Sequence, residues 1–262
     1  MTKYTKNNMT YTKYFLPLII LLLFAFACSK KAAIKEKPLF EADAVFKQAN
    51  EKIEKGYYEE AREILETIKA QDTSGRYATL AKIRIGDTYF KEGLYEESAI
   101  EYEQFLEMHP YDKYASYAQY QLAMSYFNRI ESVDVSYSPA QKALKEFEKL
   151  MKLYPRNPYV NAVESRIEMC KRVLAEYEFY VGEFYFKKGS YGAAVMRFNG
   201  LLQNHPDSKK EPETLYYLGI SYKNLGEQDK ALKTLTTLIE KHPTTKLSQE
   251  AKEIVVSLNK GK

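Results

Sequence analysis

The sequence predicts an all-α fold of helical hairpins stacked in a row. Apolar residues recur at three- and four-residue steps, as in Tyr177, Tyr180, Val181, Phe184 and Tyr185, then Ala194, Phe198, Leu201 and Leu202. No stretch alternates apolar with polar residues as a half-buried strand would. A spaced frame also repeats: Gly86, Tyr89, Gly93 and Pro110 return as Gly182, Tyr185, Gly189 and Pro206, then as Gly219, Tyr222, Gly226 and Pro243. From first glycine to proline each copy spans 24 positions (86 to 110, 182 to 206, 219 to 243). Small residues let paired helices approach closely, and proline ends the unit.

The chain begins with a polar segment, residues 1–14, carrying Lys3, Lys6 and Lys13. An uninterrupted apolar run comes next, from Phe15 to Ala27. As a helix it reaches about 20 Å, short of the ~30 Å hydrocarbon core, so a secretory signal over residues 1–27 is expected rather than a membrane span. Ala25-Phe26-Ala27-Cys28 resembles the lipobox of bacterial lipoproteins, in which the cysteine is acylated. The competing reading is an ordinary cleaved signal with an incidental cysteine. Residues 28–40 then read as a lipidated tether, with covalent lipid on Cys28 and no other cofactor. Ser29 after the cysteine resembles an outer-membrane address. Cys170 is the only other cysteine, so the domain after the tether has no disulfide and Cys170 reads as a buried thiol.

Net charge is +4 from 39 basic and 35 acidic residues. Removing the three leader lysines leaves 39 − 3 = 36 against 35, with no clustered basic face, which argues against a nucleic-acid partner. Trp is absent while Tyr numbers 24 and Phe 13, an aromatic load suited to packing helix on helix.

The repeats resemble tetratricopeptide units, helix–turn–helix modules of about 34 residues that bury their apolar faces only by stacking. Five are expected, over residues 41–157 (units one to three) and 158–258 (units four and five). Unit one covers roughly residues 42–74 and lacks the closing proline, Thr73 standing there. Unit two covers 79–112. Unit three keeps Ala123, Tyr126, Ala143 and Phe147 but carries eight extra residues within Asn128–Pro139. In unit four the distance from Pro155 to Gly182 exceeds that from Pro206 to Gly219 by 14 residues, which lengthens its first helix to about Tyr159–Lys187. So long a helix is expected to re-aim the rest of the stack, making units four and five a candidate second lobe. Unit five covers 212–245.

His109, His205 and His242 each precede a proline at the same place in a repeat. Equivalent positions in stacked repeats lie on the order of 10 Å apart, too far for one tetrahedral ion, so no metal site is expected. No phosphate loop follows a strand and no nucleophile–base spacing stands out, so the chain reads as a non-enzyme. In this repeat class the first helices line the inner wall. That register places Ile83, Asp87, Phe90, Tyr117, Tyr120, Met124 and Phe127 there, an aromatic groove suited to an extended or helical apolar segment. The plainer reading is that these side chains fill space between units.

The segments Ala140, Ala143, Phe147, Leu150, Tyr154-Pro155, then Leu174-Ala175, Tyr177 to Val181, Glu183-Phe184-Tyr185 and Gly189 are similar to one family in particular. They resemble the BamD family, outer-membrane lipoproteins of the β-barrel assembly machinery, and the likeness runs from Cys28 to about Ser257. The resemblance implies a lipid-anchored scaffold on the periplasmic face of the outer membrane. Its implied partners are a BamA-like barrel insertase, unfolded outer-membrane proteins and accessory lipoproteins. It also implies that Arg197, in Val195-Met196-Arg197-Phe198, contacts the insertase; the alternative for Arg197 is a surface residue without a partner. The rival function is another periplasmic repeat lipoprotein, for example a cell-envelope or division adaptor. Against it stand the insert and the long helix, which a plain array needs neither of.

Overall fold

The computed structural model describes residues 40–132 and 136–260. The leader, Cys28, the tether and residues 133–135 of the unit-three loop lie outside them. Among the described residues there are eleven helices and no strand. They pair as α1 (Ala42–Glu54) with α2 (Tyr58–Gln71), α3 (Arg76–Glu92) with α4 (Tyr95–Met108), and α5 (Ala115–Phe127) with α6 (Ser138–Leu153). Next come α7 (Val160–Lys187) with α8 (Tyr191–Asn204), α9 (Glu211–Asn224) with α10 (Gln228–Lys241), and finally α11 (Lys246–Lys260). Each helix packs on its chain neighbours, and α1 on α3, α7 on α9 and α9 on α11. This is an all-α tetratricopeptide solenoid. Helix α11, which the repeat count of five does not anticipate, covers unit five with Ala251 and Leu258.

One small-against-large contact explains why each pair closes. Gly86, Gly182 and Gly219 on the first helices face Tyr102, Phe198 and Leu235 on the second. Sixteen positions separate the partners in each case (86 to 102, 182 to 198, 219 to 235). A Cβ on Gly182 would lie 2.5 Å from Phe198 Cε1, so only glycine admits that ring. Ala49 with Leu65 keeps the spacing in unit one. Ala123 with Phe147 stands 24 apart in unit three, the difference being the eight-residue insert. All five large partners are fully buried, worth about 1.5–3 kcal/mol each. Four positions before each stands Ala61, Ser98, Ala143, Ala194 or Ala231, and three after it Ile68, Phe105, Leu150, Leu201 or Leu238, again all at 0 % exposure.

The helix ends follow the same frame. Gly93, Gly189 and Gly226 turn the chain with φ of 85°, 74° and 78°. Unit three has Ile130 at that place, inside its longer loop. Where unit one lacks proline, Asp72 takes over: its carboxylate accepts the Tyr77 and Ala78 N–H groups at 2.7 and 2.9 Å and so caps α3. Its bond from the Ser74 hydroxyl, ahead of the backbone bonds, holds its pKa below the usual carboxylate value.

The 28 residues of α7 serve two cores. Val163 and Cys170, in its early part, belong to the unit-three core with Ala123, Phe147 and Leu150. Phe179, Tyr185 and Phe186, in its later part, pack with Ala194, Phe198 and Leu218. The unit-three loop also reaches α7, the Tyr137 ring lying 4.6 Å from that of Tyr177. The insert and the lengthened helix therefore meet.

Candidate functional site

The seven groove residues do not share one open wall. Ile83 and Asp87 are buried, at 4 % exposure each. The Asp87 carboxylate accepts hydrogen bonds from the Tyr102 and Tyr117 hydroxyls, both at 2.6 Å, and from Arg84 Nη1 at 2.8 Å. Arg84 in turn donates to Asn50 Oδ1, so the network ties units one, two and three. Burial first, and then the Asp87 charge, push the Tyr102 and Tyr117 hydroxyls well above the ordinary phenol value. These groups stay neutral donors at every physiological pH. Asp87 is thus a satisfied buried acceptor rather than a carboxylate presented to a ligand.

Phe90 sits apart, edge-on to Tyr95 at 5.3 Å. Tyr120, Met124 and Phe127 come together beneath the early part of α7. Tyr120 stacks on Tyr159 at 4.0 Å, Phe127 meets Phe147 at 6.0 Å, and the Arg166 guanidinium lies within 6 Å of both Tyr120 and Phe127. The residues that lengthen α7 therefore cover this part of the expected groove.

Arg197 stands on the exposed side of α8, because Ala194, Phe198 and Leu201 turn inward at helical spacing. It faces Glu178 of α7 at 3.4 Å, with side-chain exposures of 46 % and 26 %. A pair so long and so wet contributes at most a few tenths of a kcal/mol. The guanidinium can therefore exchange Glu178 for another carboxylate at little cost. Beside it opens a cavity of about 380 Å³ walled by Tyr185, Met196, Arg197 and Gly200, and Met196 is 77 % exposed. Asn204 links it to a second cavity of about 440 Å³ walled by Lys171, Arg172, His205 and Lys209. Burial lowers the His205 pKa, so its ring is neutral at neutral pH. Together these cavities form a cleft along α7 and α8 whose lining is mixed in charge, Lys171, Arg172, Arg197 and Lys209 facing Glu168, Glu178 and Asp207.

Sequence spacing does not reveal Glu178, which meets Arg197 only because α7 and α8 run antiparallel about the Gly189 turn. Each of the three histidines ends a different helix, α4, α8 or α10, and donates its backbone N–H to that helix. Among the described residues no three metal-binding side chains converge, and no helix is long and apolar enough to cross a membrane.

A family profile described as outer membrane lipoprotein (YfiO) matches residues 40–234. The outer membrane protein assembly factor BamD of Caulobacter vibrioides is 23 % identical over 184 residues, covering 70 % of this chain and 59 % of that protein. Its namesake from Vibrio cholerae is 23 % identical over 208 residues, covering 75 % and 85 %. That from Rickettsia prowazekii is 27 % identical over 166 residues, covering 63 % and 66 %. The match thus spans under two thirds of the Caulobacter and Rickettsia proteins. Among solved structures, the TPR2AB domain–pHSP90 complex of yeast Sti1 aligns at a TM-score of 0.45 with 14 % identity, covering 82 % of each chain. A tetratricopeptide repeat protein from Parabacteroides merdae aligns at 0.36 with 16 % identity, covering 83 % and 73 %.

Proposed function

The chain belongs to the outer membrane lipoprotein family whose profile matches residues 40–234, and from that premise we propose that it is a non-enzymatic scaffold for assembling outer-membrane β-barrel proteins. The related proteins are named as assembly factors for outer membrane proteins. The reading extends that role here: the cleft between α7 and α8 docks the periplasmic part of a barrel insertase, and Cys28 carries the lipid that holds the scaffold at the membrane. Unfolded barrel proteins and accessory lipoproteins are the further partners.

The observation that carries the docking step is the weakly held Arg197. It is half-exposed, loosely paired and set beside an open cavity, as a cation awaiting a better carboxylate should be. An incoming acid need displace only Glu178. An exposed methionine alongside supplies adaptable apolar contact. The test is recovery of the insertase on the full chain from solubilised outer membranes. Arg197→Glu should cut recovery about tenfold or more, in line with 1.4 kcal/mol per tenfold, while helicity is unchanged. Undiminished recovery with the charge reversed would remove the cleft from the interface. Labelling cells with a palmitate analogue should mark the wild-type chain and not Cys28→Ser; equal labelling of both would remove the anchor.

A further inference from the structure

A second face of α7 departs from the repeat pattern and is unexplained by the cleft. In units two, three and five, two positions of the first helix, five before and two after its small residue, are small and buried. Unit two has Ala81 and Thr88 there, unit three Ala118 and Ser125, and unit five Thr214 and Ser221. All six are fully buried at 0 % exposure. The cover comes from the unit before: Thr88 receives a 3.5 Å contact from Arg62, and Ser125 bonds Ser98 at 3.0 Å.

Unit four carries Tyr177 and Phe184 at these positions, with Tyr180 between them. Phe184 is 46 % and Tyr180 43 % exposed. The reason lies in the length of α7. Unit three packs on its early part, through Val163 and Cys170, and reaches its later part at Tyr177, leaving Tyr180 and Phe184 beyond that contact exposed. Tyr137 screens Tyr177. Phe184 thus stands uncovered where the sibling units have the small, buried Thr88, Ser125 and Ser221, and Tyr180, at the place of Arg84, Gln121 and Tyr217, is exposed beside it. An aromatic strip of this kind in water costs solvation free energy that a partner would recover.

Two features describe what would cover it. At the place of Phe184, Thr88 and Ser125 are met by helices of the preceding unit, through Arg62 of α2 and Ser98 of α4, so a helix is the element that fits beside it. Its end carries a cation: Lys188 Nζ lies 4.5 Å over the Phe184 ring. Lys187 beside it is held by Glu183 at 2.9 Å. Glu178 and Tyr180 are two residues apart, about 200° around the helix, so Tyr180 points away from the Arg197 cleft, while Phe184 meets Tyr185 of that cleft edge-on at 5.6 Å.

We propose that the Tyr180–Phe184 face of α7 docks an acidic amphipathic helix of a partner protein, which takes the place that a preceding repeat holds elsewhere in the stack. The partner's apolar stripe covers the two rings, and its carboxylate pairs with Lys188. The surface is additional to the assembly role and does not depend on it.

The full chain in lipid nanodiscs, with empty nanodiscs as blank, can be titrated by fluorescence anisotropy against a labelled synthetic helix. The helix bears Leu and Ala on one face and Glu on the other, and its counterpart has Lys in place of every Glu. The acidic helix should bind at least about tenfold tighter than the basic one. Tyr180→Gln with Phe184→Ser, the residues of unit three at these places, should weaken it about tenfold or more. Lys188→Glu should reverse the preference, and Arg197→Glu should leave it unchanged. Equal binding of the two helices, an unaffected double variant, or equal loss in Arg197→Glu would overturn the proposal. So would self-association of the chain that the double variant abolishes, since the occupant would then be a second copy.

Discussion

Gly182→Ala is a one-carbon test of the contact that closes each hairpin. The added methyl would lie 2.5 Å from Phe198 Cε1 and 2.8 Å from Cδ1. The Phe198 ring is fully buried, with the rings of Phe179 and Tyr217 at 5.9 and 6.1 Å, so it has little room to retreat. Overpacking of this kind costs about 1–3 kcal/mol, whereas replacing a helical glycine by alanine gains up to about 1 kcal/mol. With so deep an overlap the cost wins, leaving a net loss of about 1–2 kcal/mol. For a domain of this size that is a fall in Tm of roughly 2–8 °C. Gly200→Ala supplies the control. It lies inside α8, and its Cβ would meet nothing within 4 Å. Only the propensity gain remains there, so Tm should rise by a few degrees. Thermal melts by far-UV circular dichroism read both. If Gly182→Ala rises alongside Gly200→Ala, the close-approach account of the repeat is refuted. A second check is coupling: Phe198→Leu should rescue part of the Gly182→Ala loss, because the two sites share one space.

Three further outcomes are expected. Tyr117→Phe removes one of three donors from the buried Asp87 carboxylate and should cost about 1–2 kcal/mol in urea titration, because the remaining donors cannot replace it. Asp72 has a lowered pKa in the folded chain, so its capping contribution is full above the unfolded value near ~3.9 and fades as pH falls through the folded pKa. Asp72→Ala should therefore lower stability at neutral pH, and its gap from wild type should close on acidification; a gap constant to the lowest pH would contradict the cap. Burial pushes the Cys170 thiol up to about 12, so iodoacetamide should leave it unmodified at neutral pH until denaturant is added.

Much of this architecture is legible from spacing alone. The frame of Gly86, Gly182 and Gly219 marks the hairpins, and the excess between Pro155 and Gly182 gives α7 to within a residue of its start. The unit-three insert falls between α5 and α6 as expected. These features are local, and period and length carry them. Helix α11 escapes the repeat frame because, among the described residues, no second helix or closing proline follows it, although Leu247, Ala251, Ile254 and Leu258 are spaced for a helix. Register places Asp87 as a groove carboxylate, yet a signal for its true surroundings exists. Where units three, four and five place Phe147, Phe198 and Leu235, unit two places Tyr102, whose hydroxyl needs a buried acceptor. The cover over Tyr120, Met124 and Phe127 depends on how α7 folds back on unit three. Repeat register does not contain that information.

Because nearly every buried contact joins helices adjacent in sequence, the chain can consolidate from one end as it emerges, each hairpin latching onto the one before. The early part of α7 finds its core already made, while its later part must wait for α8 and α9. For that interval the rod is anchored at one end and free at the other. The order in which the two halves mature is thereby written into the length of a single helix.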